Sequence, residues 1–339
     1  MMGSRAAGEP LRNEAAEPKR GAPRDPPTIL VPSRYRRRLS GPPCALVWYE
    51  DVGEAAAAAA GTDAVWLAGF AAADVVSEVL DRGGDRLRWV HYSSAGVEHM
   101  RLVEFRERGV ILTNGAGLYA HPIAEHVIMC MLAARLNLLG LVRAQAAATW
   151  APEAESQQEL QGSVALIIGY GALGRAVGVR AQALGVTVLG ARRRGDAPCE
   201  DGVSSGDTWR AQLPQADFVV LTLPATPETR GILGEQELAA MKAGAWLINV
   251  ARGSLVDEEA LLDALESGHL GGAALDAFQN EPLPPEHPFW TLPNVLLSPH
   301  SSWRSSRLDE RDVALFSDNL ERFIDGGRLR NVVDLDAGY

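Results

Sequence analysis

The chain has 339 residues, 47% of them hydrophobic and 22% charged, with a formal net charge of -11. That length accommodates two domains with separate cores, and the acidic balance argues against nucleic-acid binding, which needs a basic face. The three cysteines, Cys44, Cys130 and Cys199, are too few and too scattered for a disulfide framework or a metal site, so no metal and a reducing, cytoplasmic setting are expected.

Residues 1–27 are rich in Pro, Gly, Ala and charge. They lack the apolar core of a signal peptide and are expected to form a disordered tail. The basic cluster Arg36, Arg37 and Arg38 reads as a solvated loop. No stretch is long and apolar enough to span a membrane. Strand patterns then run through CALVWY (Cys44–Tyr49), DAVWLAGF, LRWVHYS and VILTN, with helix-like segments between them. That alternation indicates parallel βαβ units. The apolar stretch from Ile123 to Ala144 reads as one long helix or two that leave this unit for the next.

A second alternation opens at Val164. VALIIG, VTVLGA, DFVVLTLP, AWLINV, AALDAF and NVLLSP are strand candidates, and ALGRAVGVRAQALG and DEEALLDALESG carry helical spacing. The fold class expected is α/β with two Rossmann-like, doubly wound parallel sheets. The segment RDVALFSDNLERFIDGG reads as one amphipathic helix that returns to the first unit and makes that domain discontinuous. The expected division is a substrate domain of residues 28–135 plus 306–339, with a dinucleotide-binding domain of residues 136–305 inserted into it.

The turn GYGALG sits between strand VALII and helix ALGRAVGVRAQAL, which is the context that makes this pattern specific. Gly169 allows the tight turn, Gly171 admits a pyrophosphate close to the backbone, and Gly174 lets helix and strand pack. Ala172 and Leu173 belong to the helix N-terminus, whose amides and dipole favour phosphate. An NAD site places a carboxylate at the end of the second strand to hold the ribose 2′-hydroxyl. Here the chain reads Ala191-Arg192-Arg193-Arg194, with no carboxylate before Asp196. Arginines suit a 2′-phosphate, so NADPH is expected to be preferred, with NAD possible; the alternative is a solvated basic turn that tolerates both.

Arg252, Glu281 and His300 each follow a short apolar run. Open α/β sheets bind ligands beyond the carboxyl ends of their strands, so Arg252, Asp276 and His300 are expected on one rim. Arg252 suits the carboxylate and carbonyl of a 2-keto acid, His300 suits proton donation to the developing alkoxide, and Glu281 suits the other ring nitrogen. Taken singly, each has an ordinary structural reading: a helix-start arginine, a loop histidine, a turn glutamate. The remaining histidines His91, His99, His126, His269 and His287 read as satisfied loop residues.

With SSAGVEHM (93–100), AEHVIMCML (124–132), GYGALGRAVG (169–178), LTLPATPETRGIL (221–233), INVARGSLVDEEALLDALESGHLGGAALDAFQNEPLP (248–284), NVLLSPH (294–300) and LRNVVDLDAGY (329–339) in order, the chain resembles the D-isomer-specific 2-hydroxyacid dehydrogenase family, nearest its glyoxylate/hydroxypyruvate reductase-like branch. The resemblance implies NAD(P)H-dependent reduction of a small 2-keto acid to a D-2-hydroxy acid, with Arg252 binding substrate, His300 as acid/base and Glu281 as its partner. It implies that Ala95 and Gly96 hold the substrate carboxylate, that Asp276 contacts the nicotinamide end, and that Leu223, Pro224, Val250, Ala251 and Ser302 touch cofactor. It also implies a homodimer formed largely through the cofactor domains. Trp66, Tyr119, His121 and Trp303 are expected near the pocket and leave the substrate open, another anion such as phosphite included. A formate-oxidising relative would resemble a glutamine–histidine pair, where Glu281 stands here. A dinucleotide-sensing corepressor is the alternative from another class, and the intact trio favours the enzyme.

Overall fold

The computed structural model describes residues 26–39, 43–69, 71–150, 157–193 and 203–339. Nearly all of the expected tail, together with Arg194, Asp196 and Cys199, lies outside them. The first sheet contains β1 (Thr28–Pro32), β2 (Ala45–Tyr49), β3 (Ala64–Leu67), β4 (Trp89–Tyr92) and β5 (Ile111–Asn114). Its order is β2-β1-β3-β4-β5, all parallel. The crossovers are α1 (Val52–Ala58), α2 (Ala73–Gly83) and α3 (Leu102–Arg108). Strand β1 did not stand out in the sequence: five residues, TILVP, flanked by prolines, carry no alternation. It lies between β2 and β3, buried on both faces, which selects for an unbroken apolar run instead.

The chain then passes through α4 (Ala120–Arg135) and α5 (Leu138–Ala146), which meet at a bend of 69°. Asn137 makes that bend: its φ is 50°, and its side chain accepts the Gly140 amide to start α5. No single described helix is long and apolar enough to cross a membrane. The buried face of α4, with Ala124, Val127, Cys130 and Met131, packs into the core of the second sheet beside Ile167, Val177 and Ala181.

The second sheet has the order β12-β11-β10-β9-β6-β7-β8, also all parallel. Its strands are β6 (Val164–Ile168), β7 (Thr187–Arg192), β8 (Val203–Ser205), β9 (Phe218–Leu221), β10 (Trp246–Asn249), β11 (Gly272–Leu275) and β12 (Val295–Leu297). Helices α6 (Ala172–Ala183), α7 (Glu235–Ala240) and α8 (Glu258–Glu266) accompany it. Strand order reverses between β6 and β9, so the carboxyl ends of β6, β9, β10, β11 and β12 open on one crevice.

Helix α9 (Leu308–Ile324) returns to the first sheet. Its Phe316 stacks between Trp66 (ring centroids 4.1 Å apart) and Trp89 (5.4 Å), and Tyr35 stacks on Trp66 at 4.6 Å. Both indole N–H groups find hydroxyls, Trp66 on Ser93 and Trp89 on Thr113, so the large rings are buried without stranding a donor. Trp66 is therefore a core residue with no exposed surface, which corrects its expected place near the pocket. His91 is corrected too: it lies on β4, fully buried, with Nδ1 on the Thr113 hydroxyl at 2.8 Å.

Asp217, just ahead of β9, ties α4 to the second sheet. Its carboxylate pairs with Arg135 at 3.1 Å and Lys242 at 2.9 Å and accepts the Val164 amide at 2.8 Å. Burial alone would raise its pKa, but these three donors outweigh burial and hold it below the usual carboxylate range. A depressed folded pKa means stabilisation that is full above the unfolded value and lost as pH falls through the folded one. Asp217→Asn should cost about 1–3 kcal/mol in urea unfolding near neutral pH, and the gap to wild type should narrow as the medium is acidified.

Candidate active site

The glycine turn closes the carboxyl end of β6. Gly169 has φ +103°, and a Cβ there would stand 2.6 Å from the Leu223 amide nitrogen; a Cβ at Gly174 would stand 2.7 Å from the Gly169 carbonyl oxygen. Side chains are excluded at both. Over Gly171 the nearest heavy atom to an added Cβ is 4.0 Å away, so the backbone is open to a group resting on it. Ala172, Leu173 and Gly174 form the first turn of α6, whose amide donors have no intrahelical acceptor. The Thr222 hydroxyl donates to the Gly169 carbonyl at 2.9 Å and fastens β9 to the turn. Leu223 and Pro224 follow β9, and Val250 and Ala251 follow β10, on the same rim.

Arg192 is the last residue of β7 and Arg193 the next. Arg193 donates to the Tyr339 hydroxyl at 2.6 Å and lies over its ring at 5.1 Å. An open glycine backbone, a helix N-terminus and cationic side chains at the end of the adjoining strand fit a dinucleotide phosphate group.

His300 stands three residues beyond β12 with φ +47°, a left-handed conformation uncommon for a side-chain-bearing residue. Asp276, first after β11 and 1% exposed, accounts for it. One carboxylate oxygen accepts the Ser301 amide at 2.9 Å and the Ser298 hydroxyl at 2.5 Å, and the other accepts the Ser302 amide at 3.0 Å. Trp303 closes the loop from behind, its indole N–H donating to the His300 carbonyl at 2.8 Å. The structure thus occupies Asp276 with the loop that presents His300. His126 on α4 lies 3.3 Å from the Ser298 hydroxyl. Burial holds this imidazole below the ordinary histidine range, against the pull of Asp276.

Glu281 reaches His300 Nδ1 at 2.7 Å with one oxygen and accepts the Phe278 amide at 2.9 Å with the other. Nε2 has no hydrogen-bond partner among the described residues. Arg252 extends from the end of β10. Asn249, 1% exposed, folds that loop by accepting the Ala251 amide and donating to the Arg252 carbonyl. Arg252 Nε donates to Glu98 at 2.6 Å and Nη1 to the Ala251 carbonyl at 2.8 Å. Glu98 lies on the loop after β4 that also carries Ala95 and Gly96, and Asn114 holds this loop through the Ala95 carbonyl at 2.8 Å. A Cβ on Gly96 would collide with Arg252 Nη2. The expected substrate loop and the expected substrate arginine therefore meet.

Tyr119 and Trp303 flank this region edge to face, 6.2 Å apart, while His121 is turned to Arg180 on α6 at 2.8 Å. The side chains of Arg252, Glu281 and His300 are 36%, 37% and 39% exposed, accessible enough to meet a small molecule. Sequence reasoning missed Glu98, Asn114, Asn249 and Ser298. For three of them a signal existed: Asn114 and Asn249 are buried polar residues ending apolar strands, and Ser298 follows one directly.

A sequence profile described as the D-isomer specific 2-hydroxyacid dehydrogenase, NAD binding domain, matches residues 128–302. Glyoxylate/hydroxypyruvate reductase B of Pectobacterium carotovorum is 34% identical over 259 residues, covering 74% of this chain and 79% of its own. The glyoxylate reductase of Korarchaeum cryptofilum is 32% identical over 270 residues, 78% of this chain and 81% of its own. The structure of an NADPH-dependent glyoxylate/hydroxypyruvate reductase from Sinorhizobium meliloti, in complex with NADP and sulfate, superposes with a TM-score of 0.77. It covers 93% of this chain and 100% of that one at 28% identity.

Asp276→Asn replaces an acceptor oxygen with a donor amide facing another N–H. Hydrogen exchange at Ser301 and Ser302 should accelerate at least about tenfold, with a stability loss of about 1–3 kcal/mol. Unchanged protection of both amides would remove Asp276 from the role given to it.

Proposed function

The chain belongs to the D-isomer-specific 2-hydroxyacid dehydrogenase family, and we propose that within it this enzyme uses NADPH in preference to NADH to reduce a glyoxylate- or hydroxypyruvate-type 2-keto acid. The chain is an NAD(P)-dependent oxidoreductase that reduces 2-keto acids to 2-hydroxy acids; the D configuration of the product is the family's. The observation that carries the reading is one rim bearing Arg252, the Glu281–His300 pair and the glycine turn.

The bound dinucleotide supplies a hydride for C2 of the substrate. The chain's own groups do the rest. Arg252 has five N–H donors, two of them engaged by Glu98 and Ala251; those remaining face the substrate's carboxylate and carbonyl oxygens. The Ala95–Gly96 backbone lies against the same guanidinium and supplies amide donors to the carboxylate. As charge develops on the carbonyl oxygen, protonated His300 delivers its Nε2 proton there and is left as the neutral imidazole, while Glu281 accepts from Nδ1–H and holds the ring in orientation. In the oxidative direction His300 takes the proton from the hydroxyl. Closure of the two sheets over the rim would exclude water from the transfer. A corepressor-like sensor would have no use for this acid/base set, and phosphite offers no carbonyl for it to protonate.

Preference for NADPH is supported by Arg192 and Arg193 at the end of β7, where a ribose 2′-phosphate would lie. A homodimer is supported by the apolar side chains that α4 and α5 leave exposed: Met129, Leu136, Leu138, Leu141 and Val142. A cytoplasmic setting accords with the free thiols of Cys44 and Cys130.

Wild type should oxidise NADPH with glyoxylate or hydroxypyruvate, and the Arg192→Ala, Arg193→Ala variant should lose at least about tenfold in the NADPH to NADH ratio of kcat/KM. Equal use of both cofactors by wild type would remove the preference. His300→Ala should lower kcat by about 10²–10⁴-fold while NADPH binding, followed by fluorescence, stays near wild type.

A further inference from the structure

The chemistry just derived leaves Glu98 without a task, although it is the residue Arg252 grips most closely. Glu98 Oε1 lies 2.6 Å from Arg252 Nε across the crevice, one partner on the loop after β4 and the other on the loop after β10. The two side chains are 37% and 36% exposed, so the pair borders the space where substrate must sit. We propose that Glu98 is a specificity-determining residue that restricts the site to 2-keto acids with a single negative charge. The proposal rests on Arg252 being the substrate clamp.

A 2-keto acid brings one carboxylate to Arg252. Charged groups at that rim include Arg252, Glu98, Glu281 and His300, with His99 next along the chain from Glu98 and its Nε2 on the Ala71 carbonyl at 3.1 Å, and Arg304 lying over the Trp303 ring at 5.7 Å. The positive charge of Arg252 is already opposed by Glu98 at contact distance. Burial pushes the Glu98 carboxyl up, but Arg252 outweighs it and holds the group below the usual carboxylate range, so it stays ionised at neutral pH. A substrate with one carboxylate takes the remaining Nη donors. A second carboxylate or a phosphate on C3 would meet the negative charges of Glu98 and Glu281, the first of them at contact distance from the clamp itself. At about 6 Å and an intermediate dielectric, one like charge is worth about 10- to 100-fold in binding.

The geometry also makes the role separable from simple bracing. Glutamine at position 98 keeps an oxygen that accepts from Arg252 Nε and removes only the charge. Aspartate keeps the charge and shortens the reach.

The test compares kcat/KM for hydroxypyruvate, a monoanion, and oxaloacetate, a dianion, with NADPH in wild type, Glu98→Gln and Glu98→Asp. Wild type is expected to favour hydroxypyruvate. Glu98→Gln should raise the oxaloacetate to hydroxypyruvate ratio at least about tenfold, from a low or undetectable value, and the gain should shrink at high ionic strength. Glu98→Asp should keep a ratio near wild type. A ratio in Glu98→Gln within about twofold of wild type, or an equal rise in Glu98→Asp, would overturn the assignment. NADPH binding by all three proteins checks that each is folded. If the Gln variant does not fold, the wild-type ratio decides: parity between the two substrates overturns the proposal. Absence of wild-type turnover on any 2-keto acid, with NADPH still bound, would instead sink the reductase reading from which the proposal starts.

Discussion

One buried carboxylate decides where the reacting histidine stands. Asp276 is 1% exposed and carries a charge that would be costly to hide unpaired. Three donors satisfy it, and all three come from the stretch 298–302. Satisfying Asp276 therefore means wrapping that stretch around it, and the wrapped path takes His300 through a left-handed conformation that few side chains adopt. Trp303 and Glu281 then take hold of a histidine already placed, one through its carbonyl and the other through its ring.

The same device recurs at other strand ends. Asn249 folds the loop that carries Arg252, and Asn114 holds the loop that carries Ala95 and Gly96. Each is a polar side chain buried at the end of an apolar strand, bonded to the backbone of the loop that follows or of a neighbouring loop. Parallel sheets deliver their carboxyl ends to one side; buried polar side chains convert that coarse delivery into the placement chemistry needs.

This division explains what was legible in the amino-acid sequence. Both sheets, the return of α9 and the trio at the rim follow from apolar runs, helical spacing and a glycine turn, which are local signals. The Glu281–His300 contact was expected because its chemistry is pairwise. Glu98 was not, because its partner is 154 residues away and nothing local marks a carboxylate as facing a guanidinium across a crevice. Strand β1 escaped because a strand buried on both faces carries no alternation. Trp66 was misplaced for a related reason: a large ring in a strand reads the same whether it lines a cavity or fills a core, and only Phe316, 250 positions later in the numbering, tells which.

That stack has a consequence for the order in which the molecule is made. Trp66 and Trp89 are enclosed by Phe316 from α9, while the second sheet and its helices lie between them in the chain. A growing chain can complete the inserted sheet from contiguous residues. The first sheet must wait for α9, with the faces of Trp66 and Trp89 that Phe316 covers left open until then. The half that emerges first is the half that finishes last, and during synthesis its aromatic face is the surface most in need of protection from other chains.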